Sequence, residues 1–126
     1  MSATNTFETI ILDAILVSGN SYTAGNVYAA LYSSAPSEAG SGTEITGNNY
    51  SRQQVTFTVA NSVATSSAAI TFSATGNTWP AAVALAITDA ASAGNILFYT
   101  SLNPTQTVTA GANVVFTAGN ITVTAN

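Results

Sequence analysis

Six side chains carry all the formal charge of this sequence: Arg52 and the acids Glu8, Asp13, Glu38, Glu44 and Asp89. There is no Lys, His or Cys. Nucleophilic catalysis of the Ser/His/Asp, Cys/His or Ser-Lys kind therefore has no base to run on. Without thiolates and imidazoles the commonest transition-metal ligands are missing too. What is left is carboxylate chemistry. A glycosidase needs two carboxyls at a set separation, one of them raised in pKa by an apolar cleft. Glu38 and Glu44 flank a stretch rich in Gly and Ser. Such a stretch supplies neither dryness nor rigidity, so both read as solvated loop carboxylates. Calcium takes its oxygen ligands from several carboxylates and carbonyls. Residues 89–95 lack that acidic alternation and read as a hairpin turn. No catalytic residue, metal ligand or cofactor is expected, and nothing marks the chain as an enzyme.

Arg52 is the one cation, and it sits beside Tyr50 in a strand-like segment. Its fork suits a bidentate pairing with Glu44 or Glu38 that pins the loop between them. Trp79-Pro80 either anchors the start of a strand or makes a subunit contact. The alternative is a sugar-stacking platform, in which Trp79 is exposed together with Tyr22, Tyr28, Tyr32 or Tyr99.

The elements that must hold these residues are mostly strands. The first is an exception. Residues 5–18 predict a helix, with Asn5 as the cap and Glu8 completing a capping box. Phe7, Ile10, Ile11, Leu12, Ala14, Ile15 and Leu16 make it apolar on most sides, and Glu8 and Asp13 mark the wet side. Such a helix docks on the sheet or packs against another subunit. The period then changes from 3.6 to 2. Residues 27–32 predict a strand with Tyr28, Ala30 and Tyr32 on one face and Val27, Ala29 and Leu31 on the other. A long Gly/Ser/Pro loop follows over residues 33–49, long enough to need either a function or an ordering neighbour. Residues 50–59 read as one strand with Val55, Phe57 and Val59 inward. Further strands are expected at 69–73, 83–88, 95–100, 105–109, 113–117 and 120–124. Gly25-Asn26-Val27, Gly94-Asn95-Ile96 and Gly119-Asn120-Ile121 share one turn device, in which Gly and Asn supply positive φ before a β-branched residue. The expected fold is mainly β: a single antiparallel β-sandwich domain over residues 1–126, jelly-roll or Ig-like, with one short N-terminal helix.

Charged residues are only 5% of the 126, against 47% hydrophobic. Nucleic acid is excluded as a partner because phosphate binding needs several cations, and anionic membrane surfaces are excluded on the same ground. No stretch has the length and apolarity of a membrane span, and Glu8 and Asp13 interrupt any secretion-signal pattern. Neutral polar faces desolvate cheaply and do not repel one another when copies crowd together. The composition therefore points to close packing with other proteins.

An ordered set of motifs carries a resemblance. After the apolar helix come residues 27–32, Ala35-Pro36, and the run Glu38-Ala39-Gly40-Ser41-Gly42-Thr43-Glu44-Ile45-Thr46-Gly47. Tyr50-Ser51-Arg52-Gln53, Thr78-Trp79-Pro80-Ala81 and Gly94-Asn95-Ile96-Leu97-Phe98-Tyr99 follow. The set resembles small virion structural proteins of tailed bacteriophages and prophages, the tail fibre and decoration proteins. The resemblance implies a non-enzymatic role, many copies and a place in the virion. The reading drawn from it is a capsid decoration or cement protein that clamps neighbouring capsid subunits. A tail-tip or tail-fibre component and a glycan-binding adhesin module are the alternatives. The partners expected are the major capsid protein or tail proteins together with other copies of the chain, as a trimer. Contact candidates are Phe7, Ile11, Ile15, Glu38, Glu44, Arg52 and Trp79.

Overall fold

The computed structural model describes residues 1–124; the last two positions of the expected domain, 125 and 126, lie outside the described residues. The chain is mainly β, with antiparallel sheets and one short helix. Strand β1 (Ser2–Ala3) leads into α1 (Asn5–Leu16). Next come β2 (Val27–Ser34), β3 (Thr43–Glu44), β4 (Gln53–Val55), β5 (Phe57–Ala60) and β6 (Val63–Ser66). The remainder are β7 (Ile70–Ser73), β8 (Ala82–Thr88), β9 (Ile96–Gln106), β10 (Asn113–Phe116) and β11 (Thr122–Thr124).

The largest sheet runs β1-β9-β8-β2-β3, with β4 also paired to β2. A three-stranded sheet, β11-β6-β5, and a two-stranded one, β10-β7, complete the architecture. The main core joins all three. Leu31, Leu85, Ile87 and Val55 come from the large sheet, Ile70, Phe72 and Val114 from the small pair, and Ile121 from just before β11. Phe72 is fully buried and packs edge-on against Phe116, ring centroids 6.2 Å apart.

The expected two-faced pattern of β2 holds. Ala29 and Leu31 enter the main core, while Ala30 and Tyr32 form a second cluster with Ala84 and Ala86 on the opposite face. Small alanines sit there in register, Ala30 opposite Ala86 and Ala86 opposite Tyr99. Side chains on Val83, Ile96 and Tyr99 pack against that floor.

Four expectations need correction. The segment 50–59 is two strands, because the chain leaves β2 after Val55 and joins β6 from Phe57. Val59, expected inward, is 73% exposed and lines a groove on the side of Phe57. Segment 95–100 and the start of 105–109 belong to one strand, β9, which ends at Gln106 and whose register against β8 shifts between Ala82 and Ala84. Pro104, which reads as a breaker, falls in that irregular stretch, where no ladder bond is demanded of it. The loop 33–49 needs no neighbour: Ile45 is buried, its N–H bonds to the Leu31 carbonyl at 3.0 Å, and the Glu38 carbonyl accepts from Asn5. A Cβ at Gly42 would come within 2.9 Å of the Pro36 backbone, so the loop closes on itself where only glycine fits. Finally, the helix cap is Thr4 rather than Asn5. Its hydroxyl accepts from the Phe7 N–H at 3.3 Å and donates to the Ile96 carbonyl, so the cap also ties α1 to β9. With Thr4 as cap, Glu8 falls one position beyond the capping-box site.

Candidate assembly surface

Two constellations gather the residues that the sequence singled out. The first is a polar node around Arg52. Its Nε and Nη2 donate to the two oxygens of Glu44, each at 2.8 Å, in the bidentate form expected of a guanidinium and a carboxylate. Nη1 reaches the carbonyls of Ala90 and Ala93 at 2.7 and 2.8 Å and the Thr88 hydroxyl at 3.2 Å. Tyr50 donates to Glu44 Oε1 at 2.9 Å and accepts from the Leu31 N–H at 2.8 Å. The node thus ties the 33–49 loop, β2 and the β8–β9 turn together. Burial pushes the Tyr50 phenol well above its ordinary value of 10.0. Burial, helped by the charge of Glu44, raises Tyr32 as well. The hydrogen bonds that Arg52 donates to Glu44 raise the guanidinium, which stays charged.

This is an internal clamp. The side chain of Arg52 is only 8% exposed and that of Glu44 20%, and the Arg52 donors are already spent on five acceptor atoms. Asp89 finishes the neighbouring turn by accepting from the Asn95 N–H at 2.7 Å and from its side-chain amide at 3.0 Å. A Cβ on Gly94 would lie 2.5 Å from Asp89 Oδ1, which explains the glycine there. Glu38 is exposed and takes part in none of the node's hydrogen bonds; what it contributes is its backbone carbonyl. No paired-carboxylate site is assembled from Glu38 and Glu44.

Trp79 is buried, 3% exposed. Its Nε1 donates to the Asn48 carbonyl at 2.9 Å, and Tyr50 meets its ring edge-on, centroids 5.3 Å apart. The ring is therefore core, out of reach of a sugar or a neighbouring subunit, because its only polar atom finds a partner inside the fold.

The second constellation is α1 and the groove at its base. No residue of α1 is buried. Its first turn is held: Thr4 binds β9, and the Phe7 ring packs tilted by 50° against Phe98, centroids 4.3 Å apart. Beyond that turn the helix offers aliphatic side chains to solvent: Ile11 is 41% exposed, Leu12 57%, Ile15 75%, Leu16 73% and Val17 48%. Ile11 with Ile15, and Leu12 with Leu16, stand four apart and form adjoining rows. An outward apolar stripe of this kind is unusual for a lone soluble chain. The groove beside it encloses about 630 Å³ between α1, β5, β6, β9 and β11, with Phe57, Val59, Ala64, Phe98 and Val123 among its walls. Ile11 and Ile15 were legible as contact candidates from the helical spacing. The wall residues were not, since they come from strands distant in sequence; the alternating pattern puts Phe57 and Val59 on one face, but nothing in it says that this face borders a groove.

Among the described residues no helix is long and apolar enough to cross a membrane. No curated protein matches the chain. A family model described as "Podophage GP4 fiber I protein gp80" matches residues 2–124, which takes in the node, the helix and all three sheets. The chain belongs to that family of phage fibre proteins.

Proposed function

We propose that this protein is a non-enzymatic structural subunit of a phage tail fibre, and that it works by packing: copies associate about the fibre axis, threefold, and hold adjoining virion proteins in place. The observation that carries the reading is the unpartnered aliphatic stripe on α1. A monomer gains nothing from keeping Ile15 and Leu16 in water, whereas a repeated subunit gains a contact each time the stripe is covered. The family match favours a fibre over the capsid-decoration placement drawn from the sequence. The glycan-binding alternative loses its central ring with Trp79 buried.

The test is position in the particle. Antibody or tag labelling of purified virions, imaged by electron microscopy, is expected to place this chain on the fibres at the tail vertex. Label distributed over the capsid shell would overturn the fibre placement and restore the decoration reading.

A further inference from the structure

Resting on the fibre reading, we infer that the groove at the base of α1 receives the α1 stripe of a second copy of this chain, head to tail. The same chain carries both halves of the contact, and it cannot join them itself. The first turn of α1 is fixed through Thr4, through the Asn5 N–H to the Glu38 carbonyl at 2.9 Å, and through Phe7 against Phe98. Phe7 and Glu8 line the groove, but none of Ile11, Leu12, Ile15 or Leu16 does. A helix is a stiff rod rising about 1.5 Å per residue, so the stripe is carried past its own groove and only another molecule's stripe can fill it.

Charge favours a second copy. The stripe is uncharged, Glu8 is the groove's one charged side chain, with the amino group of Met1 the other charge among its lining residues, and the chain's only Arg is consumed by Glu44 and the β8–β9 turn. Asp13, on the helix but off the stripe, is bonded by the Asn20 amide at 2.9 Å. Seating one stripe in one groove therefore strips water from few charges, whereas a strongly basic partner would find a single carboxylate to answer it and the Met1 ammonium beside it.

The amount of surface says how such a contact must be used. The five exposed aliphatic residues from Ile11 to Val17 together leave roughly three whole side chains in water, worth about 1.5–3 kcal/mol each when buried. Bringing two proteins together costs on the order of 4–15 kcal/mol. One stripe in one groove about breaks even. Because donor and acceptor are different surfaces, each copy can give one and receive one, and the contact closes into a ring or runs on as a filament. Either gives every inner copy two contacts, and closure adds the avidity that a single pair lacks.

The chain has no cysteine, so single cysteines report the geometry without side reactions. Ile15→Cys and Val59→Cys lie at positions 75% and 73% exposed, where the change does not touch the core. The two variants, one carrying a mass tag, are mixed and treated with a short bis-maleimide. The expected dominant product is the mixed dimer, with little dimer from either variant alone, and loss of that product when the tagged Ile15→Cys chain also carries Leu16→Asp. Dominance of the Ile15–Ile15 dimer would mean that helices pack on helices and would overturn the groove assignment, and so would the absence of any cross-link at concentrations where the protein associates. Neither result bears on whether labelled virions carry the chain on their fibres, so the two proposals fail separately.

Discussion

The Arg52 node and helix α1 occupy the same small molecule and treat solvent in opposite ways. At the node, the only guanidinium of the chain is sunk to 8% side-chain exposure, and its donors meet a carboxylate, a hydroxyl and two carbonyls. On α1, aliphatic side chains that would stabilise any core stand as much as 75% exposed. No buried side-chain polar atom is left without a partner among the described residues, so the fold is complete where it is polar and incomplete where it is apolar. The difference separates two jobs. The node and the core hold the subunit together; the helix keeps an apolar face in solvent, the face that the proposed function has a neighbouring copy cover.

Breaking the node tests the first half of that comparison and carries the largest expected effect. Arg52→Ala leaves Glu44 and two turn carbonyls facing an emptied site, which costs about 3 kcal/mol for a largely buried pair. Arg52→Lys recovers only part, because an ammonium cannot make the fork. Urea denaturation followed by circular dichroism reads both. Gly94→Ala follows at about 2 kcal/mol: its φ is +69°, and the added Cβ would sit 2.5 Å from Asp89 Oδ1 and 2.7 Å from the Ala90 Cβ. The same denaturation measurement applies, and Asp89→Ala in the Gly94→Ala background relieves part of the clash.

Alkali probes the node from another side. Tyr50 has a folded pKa raised above its unfolded value of 10.0. The stability tied to its neutral form is therefore fully present below pH 10 and falls as pH rises beyond it, since the unfolded chain releases the proton first. Loss of about 1.4 kcal/mol per pH unit for each such tyrosine is expected above that point, and Tyr50→Phe flattens the slope. A smaller effect comes at the hinge between the two regions. Thr4→Ala removes the α1 cap and its tie to Ile96, and costs about 1 kcal/mol. Thr4→Ser keeps the hydroxyl and recovers most of it, as thermal unfolding will show.

What the sequence revealed of this arrangement follows the same division. The faces of β2, the apolar helix and the pairing of Arg52 with a loop carboxylate follow from local period and from how few charges there are to pair; which of Glu38 and Glu44 it takes does not. The cap was misplaced because Thr4 and Asn5 are both capable caps, and what selects Thr4 is a carbonyl on β9, at the other end of the sequence. Residues 50–59 keep one alternating pattern across a change of sheet, and nothing in a period-2 pattern marks the residue at which the partner strand changes. Trp79 reads either as the anchor of a strand start or as a subunit contact because large aromatics serve both cores and surfaces; only the Asn48 carbonyl and the Tyr50 ring around it decide for the core. The groove has no sequence signal at all, being a space between β5, β6, β9, β11 and α1.

The smallest expected change in stability is also the most decisive. Ile15→Gln with Leu16→Gln replaces two exposed side chains on α1 by uncharged helix formers and is expected to change stability by no more than about 0.5 kcal/mol. Sedimentation equilibrium of the native chain and this double variant, at equal micromolar concentration, tests the account where it is most exposed. Association of the native protein and a monomeric, equally stable variant are the predicted results. A native chain that sediments as a monomer, or a variant that associates just as well, would contradict the claim that the outward face of α1 is where this subunit joins its neighbours.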